Sequence, residues 1–191
     1  MDALERAGAV LRAAFGSLGA LEIAPSRSSL RLLGRRVTAA WAFARGREFL
    51  PDFPAYLTLE MTNHCNLACV MCPRAKQARP EGMLSLGLLE RILDQAEGRL
   101  EIVDFDLFGE LLLHPRFYEL IRAASRRGVR TSVSTNATLL TRENCERLIQ
   151  SGLDFLVLSI DSADARTYEK IRVGADHRAM REGVELFLSM N

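Results

Sequence analysis

Apolar residues recur along the chain with two different periods. From Leu4 to Leu21, the positions Leu4, Ala7, Leu11, Ala14, Phe15 and Leu18 fall three and four apart, which predicts an amphipathic helix whose end is weakened by Gly16 and Gly19. After a turn at Pro25 to Ser29, a second helical region is expected from Leu30 to Phe49, with Trp41 and Phe43 as its bulky members, until Pro51 and Pro54 break it. Residues 1–50 therefore read as an accessory helical region whose Leu11, Phe15, Trp41 and Phe43 cover a sheet edge or barrel opening.

From Tyr56 the pattern changes, and residues 51–191 read as the main domain. Strands are predicted at Tyr56 to Met61, Ile102 to Phe108, Val129 to Ser134 and Phe155 to Ile160. Helices are predicted at Ser85 to Glu97, Pro115 to Arg127, Arg142 to Gln150, from Ala163, and at Arg178 to Met190. Four β-then-α units imply an α/β fold with a parallel sheet, because parallel strands are joined by helical crossovers. A Rossmann-type sheet and a barrel-type sheet both satisfy this pattern. Ser85 and Thr141 are placed to cap helix starts, and Gly98, Gly128 and Gly152 to close helix ends in left-handed geometry. Asn191 ends the sequence where another strand is expected, so the domain is read as incomplete.

Composition narrows the function classes. The 191 residues suffice for one sizeable core but not for two full catalytic domains. At 48% hydrophobic and 26% charged the chain has the balance of a folded protein rather than a disordered one. Its longest strictly apolar run, Ala39 to Ala44, is far below the ~20 residues that span a bilayer, so no transmembrane segment is expected. The charged start, with Asp2, Glu5, Arg6 and Arg12, argues against a secretory signal, and a cytoplasmic location is expected. The net charge of +1 is uneven, with eight Arg against four acidic residues in 1–50. This excess lacks an interleaved aromatic groove, so nucleic acid is not an expected partner.

Three of the four cysteines lie within eight residues, as Cys65-x3-Cys69-x2-Cys72, directly after the first predicted strand. Crowded thiols in a strand-to-helix loop point to soft-metal ligation. Zinc would need a fourth ligand, for which His64 and Cys145 are the candidates. A [4Fe–4S] cluster on three thiolates instead leaves one iron open to a non-protein ligand. Buried or redox-active cysteines are the third reading of the same residues.

The stretch from Met61 to Leu67, the cysteine triplet and Cys72-Pro73-Arg74 together resemble the cluster loop of the radical S-adenosylmethionine enzymes. The resemblance implies a partial (β/α)6 TIM-like barrel, truncated after the fourth βα unit and preceded by the N-terminal helical region. It also implies a [4Fe–4S] cluster on Cys65, Cys69 and Cys72, with S-adenosylmethionine on the open iron as source of a 5′-deoxyadenosyl radical. Phe108-Gly109-Glu110-Leu111 resembles the family's Gly-Glu motif, so Gly109 and Glu110 are expected to hold the amino end of the cofactor. Leu111 stands where the family usually has Pro, which is expected to loosen the turn.

The two-residue period of strands places Ser132, Ser134 and Asn136 on one face, and Ser159 and Asp161 on one face of the next strand. The resemblance assigns Ser134 and Asn136 to the cofactor's methionine or ribose, and Ser159 and Asp161 to ribose hydroxyls or substrate. Met71 is expected to shield the cluster, and Arg172, in Tyr168-Glu169-Lys170-Ile171-Arg172, to pair with the cofactor's carboxylate. That last segment resembles the branch carrying cysteine-rich C-terminal extensions for auxiliary clusters, many of whose members modify peptides. A flavodoxin- or ferredoxin-type electron donor and a peptide or small-molecule substrate follow as expected partners. The competing reading is a non-catalytic or fragmentary iron–sulfur or zinc protein.

Overall fold

The computed structural model describes residues 27–48 and 53–190, and the chain divides into two compact units, Met1–Phe53 and Pro54–Asn191. In the first unit, helix α1 (Arg27–Ala44) ends earlier than expected because Gly46 takes a φ of 66° and its N–H bonds back to the Phe43 carbonyl. Arg45 and Arg47 lie over the Trp41 ring at 4.3 and 5.3 Å, and Phe43 is exposed. The helix expected at Leu4 to Leu21 lies outside the described residues. Among the described residues no helix is long and apolar enough to cross a membrane.

The second unit alternates strands and helices as its periodicity demands. Its elements are β1 (Tyr56–Leu59), α2 (Leu86–Ala96), β2 (Ile102–Phe105), α3 (Phe117–Ser125), β3 (Arg130–Thr135), α4 (Arg142–Ile149), β4 (Phe155–Leu158), α5 (Ala165–Ile171) and α6 (His177–Met190). All neighbouring strands pair in parallel, in the order β1-β2-β3-β4. Sequential order without a reversal separates the two topologies that the pattern left open. A Rossmann sheet doubles back at a switch point, whereas a barrel adds each strand beside the last. The sheet is thus four βα units of a (β/α) barrel type.

Most expected boundaries hold within two residues. Ser85 caps α2 by accepting from Leu88 N, and Thr141 caps α4 by accepting from Asn144 N. Gly98, Gly128 and Gly152 take φ values of 73°, 70° and 81°. Strand β2 stops three residues short of the expected Phe108. Leu107 there has a φ of 101°, outside extended geometry, and Gly109 follows at 87°.

Val103, Phe105, Thr131, Val133 and Thr135 form the buried face of β2 and β3, while Asp104, Ser132 and Ser134 on the opposite face are half-buried. Leu89 and Leu93 of α2, and Phe117, Leu120 and Ile121 of α3, are also buried, and α3 packs against both α2 and β3. Each such side chain removed from water contributes roughly 1.5–3 kcal/mol.

The loops that leave these strands are fastened by one buried carboxylate. Glu110 is fully buried, and its oxygens accept from Thr135 Oγ1 at 2.7 Å, Asn136 N at 2.8 Å and Leu112 N at 3.2 Å. Its own N–H donates to the His64 carbonyl at 2.6 Å, so the loops after β1, β2 and β3 meet at one residue. Gly109 makes the approach possible: a Cβ there would lie 2.2 Å from the Thr62 carbonyl oxygen. The turn that Leu111 enters is formed. Leu111 is buried at the start of a 3-10 turn, Leu111–Leu113, that Glu110 caps with its own side chain.

Burial pushes the Glu110 carboxyl above the usual carboxylate range, against its three donors, which pull it down. The native state then binds the extra proton between the unfolded and folded values. The stability contributed by this group is greatest below the ordinary carboxylate range and declines as pH rises to the raised value. Urea unfolding between about pH 4 and pH 8 should show that decline in the wild type and not in Glu110→Gln. Equal slopes would mean that another group titrates. Glu110→Ala, which orphans the Thr135 hydroxyl and two backbone donors, should lose about 3 kcal/mol or more.

Candidate functional site

The loops fastened by Glu110 enclose a cleft of about 600 Å³, counting its open mouth. It lies at the C-terminal ends of the strands, where parallel sheets collect their ligands. Cys65, Cys69 and Cys72 come from the loop after β1, and Gly109 from the loop after β2. Ser134 and Asn136 come from the end of β3, Ser159 from just beyond β4, and Arg172 from just beyond α5.

The cysteine loop is held from two sides. Towards α5, Ala68 N donates to the Val173 carbonyl at 2.9 Å and Val70 N to the Ile171 carbonyl at 3.0 Å. Towards β3, the Asn136 side-chain amide donates to Asn66 Oδ1 at 3.0 Å, and Asn66 Nδ2 donates to Thr138 Oγ1 at 2.8 Å. Pro73 opens a 3-10 turn, Pro73–Lys76, immediately after Cys72, where its fixed φ suits the first helical position.

N–H groups approach two of the three sulfurs. Leu67 N lies 3.4 Å from Cys65 Sγ, Asn136 Nδ2 3.9 Å from the same sulfur, and Arg172 Nη1 3.9 Å from Cys69 Sγ. All three thiols are half-buried and free, and burial pushes the Cys65 thiol up. Among the described residues, no three His, Cys, Asp or Glu side chains are drawn together around a single ion position. The donor chemistry nonetheless fits an iron–sulfur cluster: three soft thiols on one cleft wall, with N–H groups directed at sulfur, which stabilise thiolate charge. His64, one candidate fourth zinc ligand, is instead 3.2 Å from Glu81. Cys145, the other, is fully buried in α4 and absent from the cleft lining.

Nine of the eleven residues singled out from the sequence share this cleft: the three cysteines, Met71, Gly109, Ser134, Asn136, Ser159 and Arg172. Ser134 Oγ and Ser159 Oγ are hydrogen-bonded at 3.0 Å, which joins the ends of β3 and β4. Met71 is 53% exposed, so its side chain stands at the rim and not in the core. Glu110 and Asp161 are not among the residues that line the cleft. The Glu110 carboxylate faces inward onto Thr135 and Asn136, and Asp161 Oδ2 accepts from Arg172 Nε at 2.5 Å. Arg172 consequently spans Asp161 and Cys69.

Arg74, Leu107 and Thr135 carry no site role in the sequence-based expectation. Arg74 lines the cleft, donates to the Leu67 carbonyl at 3.1 Å and sits 3.9 Å from Glu81. Its place one residue after Cys72-Pro73 was the available signal. Leu107 lines the cleft in a left-handed conformation that costs a branched side chain energy, and nothing in its residue type announces it. Thr135 is a polar residue on the buried face of β3, a parity that marks it as the partner of a buried group.

The model of the Radical SAM superfamily matches residues 59–191. The tungsten-containing aldehyde ferredoxin oxidoreductase cofactor-modifying protein of Pyrococcus furiosus is 40% identical over 108 residues, covering 56% of this chain and 30% of that protein. An AdoMet-dependent heme synthase of Methanosarcina barkeri is 33% identical over 140 residues, covering 72% and 40%. Among solved structures, Streptococcus suis SuiB bound to S-adenosylmethionine superposes with a TM-score of 0.62 at 22% identity, over 92% of this chain and 40% of SuiB. SuiB bound to its precursor peptide SuiA gives 0.64 at 21% identity, over 93% and 41%. The chain thus spans less than half the length of these relatives. The superfamily match extends from the end of β1 through the cysteine loop and every later strand, and the chain belongs to the radical SAM superfamily.

Proposed function

We propose that the cleft holds a [4Fe–4S] cluster and S-adenosylmethionine, the cofactors of this superfamily, and that the protein is a radical-generating enzyme. The observation that carries the reading is the convergence on one cleft of three thiols, two of them with N–H groups beside their sulfurs, and the hydroxyl-bearing ends of β3 and β4. Cys65, Cys69 and Cys72 would ligate three irons and leave the fourth to the cofactor. Bound together, the two groups supply one-electron cleavage of S-adenosylmethionine to methionine and a 5′-deoxyadenosyl radical, which removes hydrogen from a substrate.

The chain's own residues bind and orient. Ser134, Ser159 and Asn136 offer hydroxyl and amide groups to the cofactor's methionine and ribose ends, and the Gly109 backbone forms the wall opposite. Met71 at the rim screens the cluster from water. Glu110 acts from beneath the surface by fixing Asn136, and Asp161 acts by orienting Arg172.

An electron donor of the flavodoxin or ferredoxin type follows from the electron that the cleavage consumes. SuiB's complex with its precursor peptide supports a peptide as the substrate class, with a small molecule as the alternative. A cytoplasmic location suits an oxygen-sensitive cluster and its donor.

Anaerobic reconstitution with iron and sulfide should load about four irons per chain. Cys145→Ala should match the wild type, and Cys69→Ala should lose the cluster. One tightly bound zinc with no cluster would overturn the assignment. Adding S-adenosylmethionine to the reduced protein should perturb the electron paramagnetic resonance signal and slowly yield 5′-deoxyadenosine. Four irons with neither perturbation nor cleavage would restrict the chain to cluster binding.

A further inference from the structure

The cysteine loop has two faces. Leu67 is buried and the three cysteines are half-buried against the cleft, whereas Ala68 and Val70, which alternate with them, are exposed and take no part in the cleft lining. Val70 is 68% exposed although it adjoins Cys69. The bonds from Ala68 N to the Val173 carbonyl and from Val70 N to the Ile171 carbonyl lay this stretch along the end of α5. Val173 is exposed as well, so Ala68, Val70 and Val173 form one apolar patch on a fixed backbone.

Cations stand around the patch without partners. Lys76 ends the turn that follows Cys72, and Arg166 and Lys170 share a face of α5, the latter directly before Ile171. All three are exposed, and among the described residues none of them is in an ion pair. The exposed face of α6 is built differently, pairing Arg178 with Glu182 and Arg181 with Glu185. The acids beside the patch are engaged elsewhere: Asp164 accepts from Thr167 N at 2.9 Å, Glu169 from His177 N at 3.2 Å, and Glu81 faces His64 and Arg74. Lys76 and Lys170 are moreover the only lysines in the sequence.

We propose that this outer face of the cysteine loop is the docking surface for the electron donor, a protein that carries a low-potential one-electron centre within an acidic surface. The inference rests on the cluster reading above. A partner seated on Val70 stands one layer of chain from Cys69 and Cys72, and electron transfer weakens steeply with distance. Uncompensated positive charge selects an acidic partner and speeds its encounter. A small apolar centre rimmed by charge suits a partner that must leave after each transfer. In the step itself one electron passes from the reduced donor to the oxidised cluster, and no bond is made or broken. Because Val70, Val173, Lys76 and Lys170 do not line the cleft, the donor uses none of the surface that a substrate would occupy there.

The test uses the reconstituted full chain, with iron content measured on every sample, and two reductants. One is a photoreduced flavodoxin of net negative charge, and the other is the neutral 5-deazariboflavin radical, which needs no docking. Raising the salt from about 50 to about 300 mM should slow reduction by flavodoxin roughly tenfold and leave the deazariboflavin rate unchanged. Lys76→Glu combined with Lys170→Glu should slow flavodoxin about tenfold at low salt, and Val70→Asp about fivefold, again without effect on the small reductant. A water-soluble carbodiimide, which joins amines to carboxylates, should link flavodoxin to Lys76 or Lys170. Flavodoxin rates that ignore the lysine reversals, or a cross-link confined to the N-terminal amine, would overturn the proposal. So would variants that slow both reductants equally, or that dissolve a dimer of this chain while flavodoxin reduction is unchanged. Should Val70→Asp lower the iron content, the exposed lysine pair decides alone. A wild-type chain that assembles no cluster would instead refute the reading on which the proposal rests.

Discussion

A carboxylate removed from water and pinned by three donors fixes the geometry on which the cleft depends. Glu110 draws the loops after β1, β2 and β3 to one point, through the His64 carbonyl, its own turn, and Thr135 with Asn136. A carboxyl group so placed is tolerated because every donor is matched to an oxygen. The loops that leave three strands are thereby tied to one another and to the end of β3. The missing Cβ of Gly109 is part of the same constraint, since any side chain there would collide with the Thr62 carbonyl and push the first two loops apart.

The two-residue and four-residue periods carried the architecture, because strand and helix faces must bury apolar residues at those intervals whatever the family. What they could not carry was strand order. Sequential pairing of β1 to β4 is a relation between segments tens of residues apart, and the same local pattern serves a sheet that doubles back. Strand ends were overestimated where apolar residues run past the ladder, as at Leu107 and Phe108, because only backbone torsion, not residue type, ended β2 there.

The site divides in a similar way. Nine residues reached the cleft because motif spacing and strand parity govern where a chain leaves a sheet. Glu110 and Asp161 did not, and for a common reason: a carboxylate at a strand end is polar in either role, facing a ligand or facing another side chain. The choice was made by residues elsewhere, namely Thr135 on the buried face of β3 and Arg172 eleven residues beyond Asp161. A polar residue at a buried parity is the clue that sequence does offer, and Thr135 carries it.

The two halves of the cleft wall therefore serve different physical ends. On the β2 and β3 side the carboxyl of Glu110 is enclosed, out of contact with solvent. The side built from the cysteine loop and the end of α5 is electrostatically adjustable, because Arg172 is shared between Asp161 and Cys69 and remains partly in contact with solvent. When Cys69 is a neutral thiol, Asp161 balances the guanidinium. When the sulfur carries charge, the same cation lies between two anions and its hydrogen bonds are shared between them. Charge at Cys69 therefore meets a cation already paired with Asp161, whereas the Glu110 carboxyl is met by the Thr135 hydroxyl and two backbone N–H groups, so the two parts of the site balance charge through separate partners.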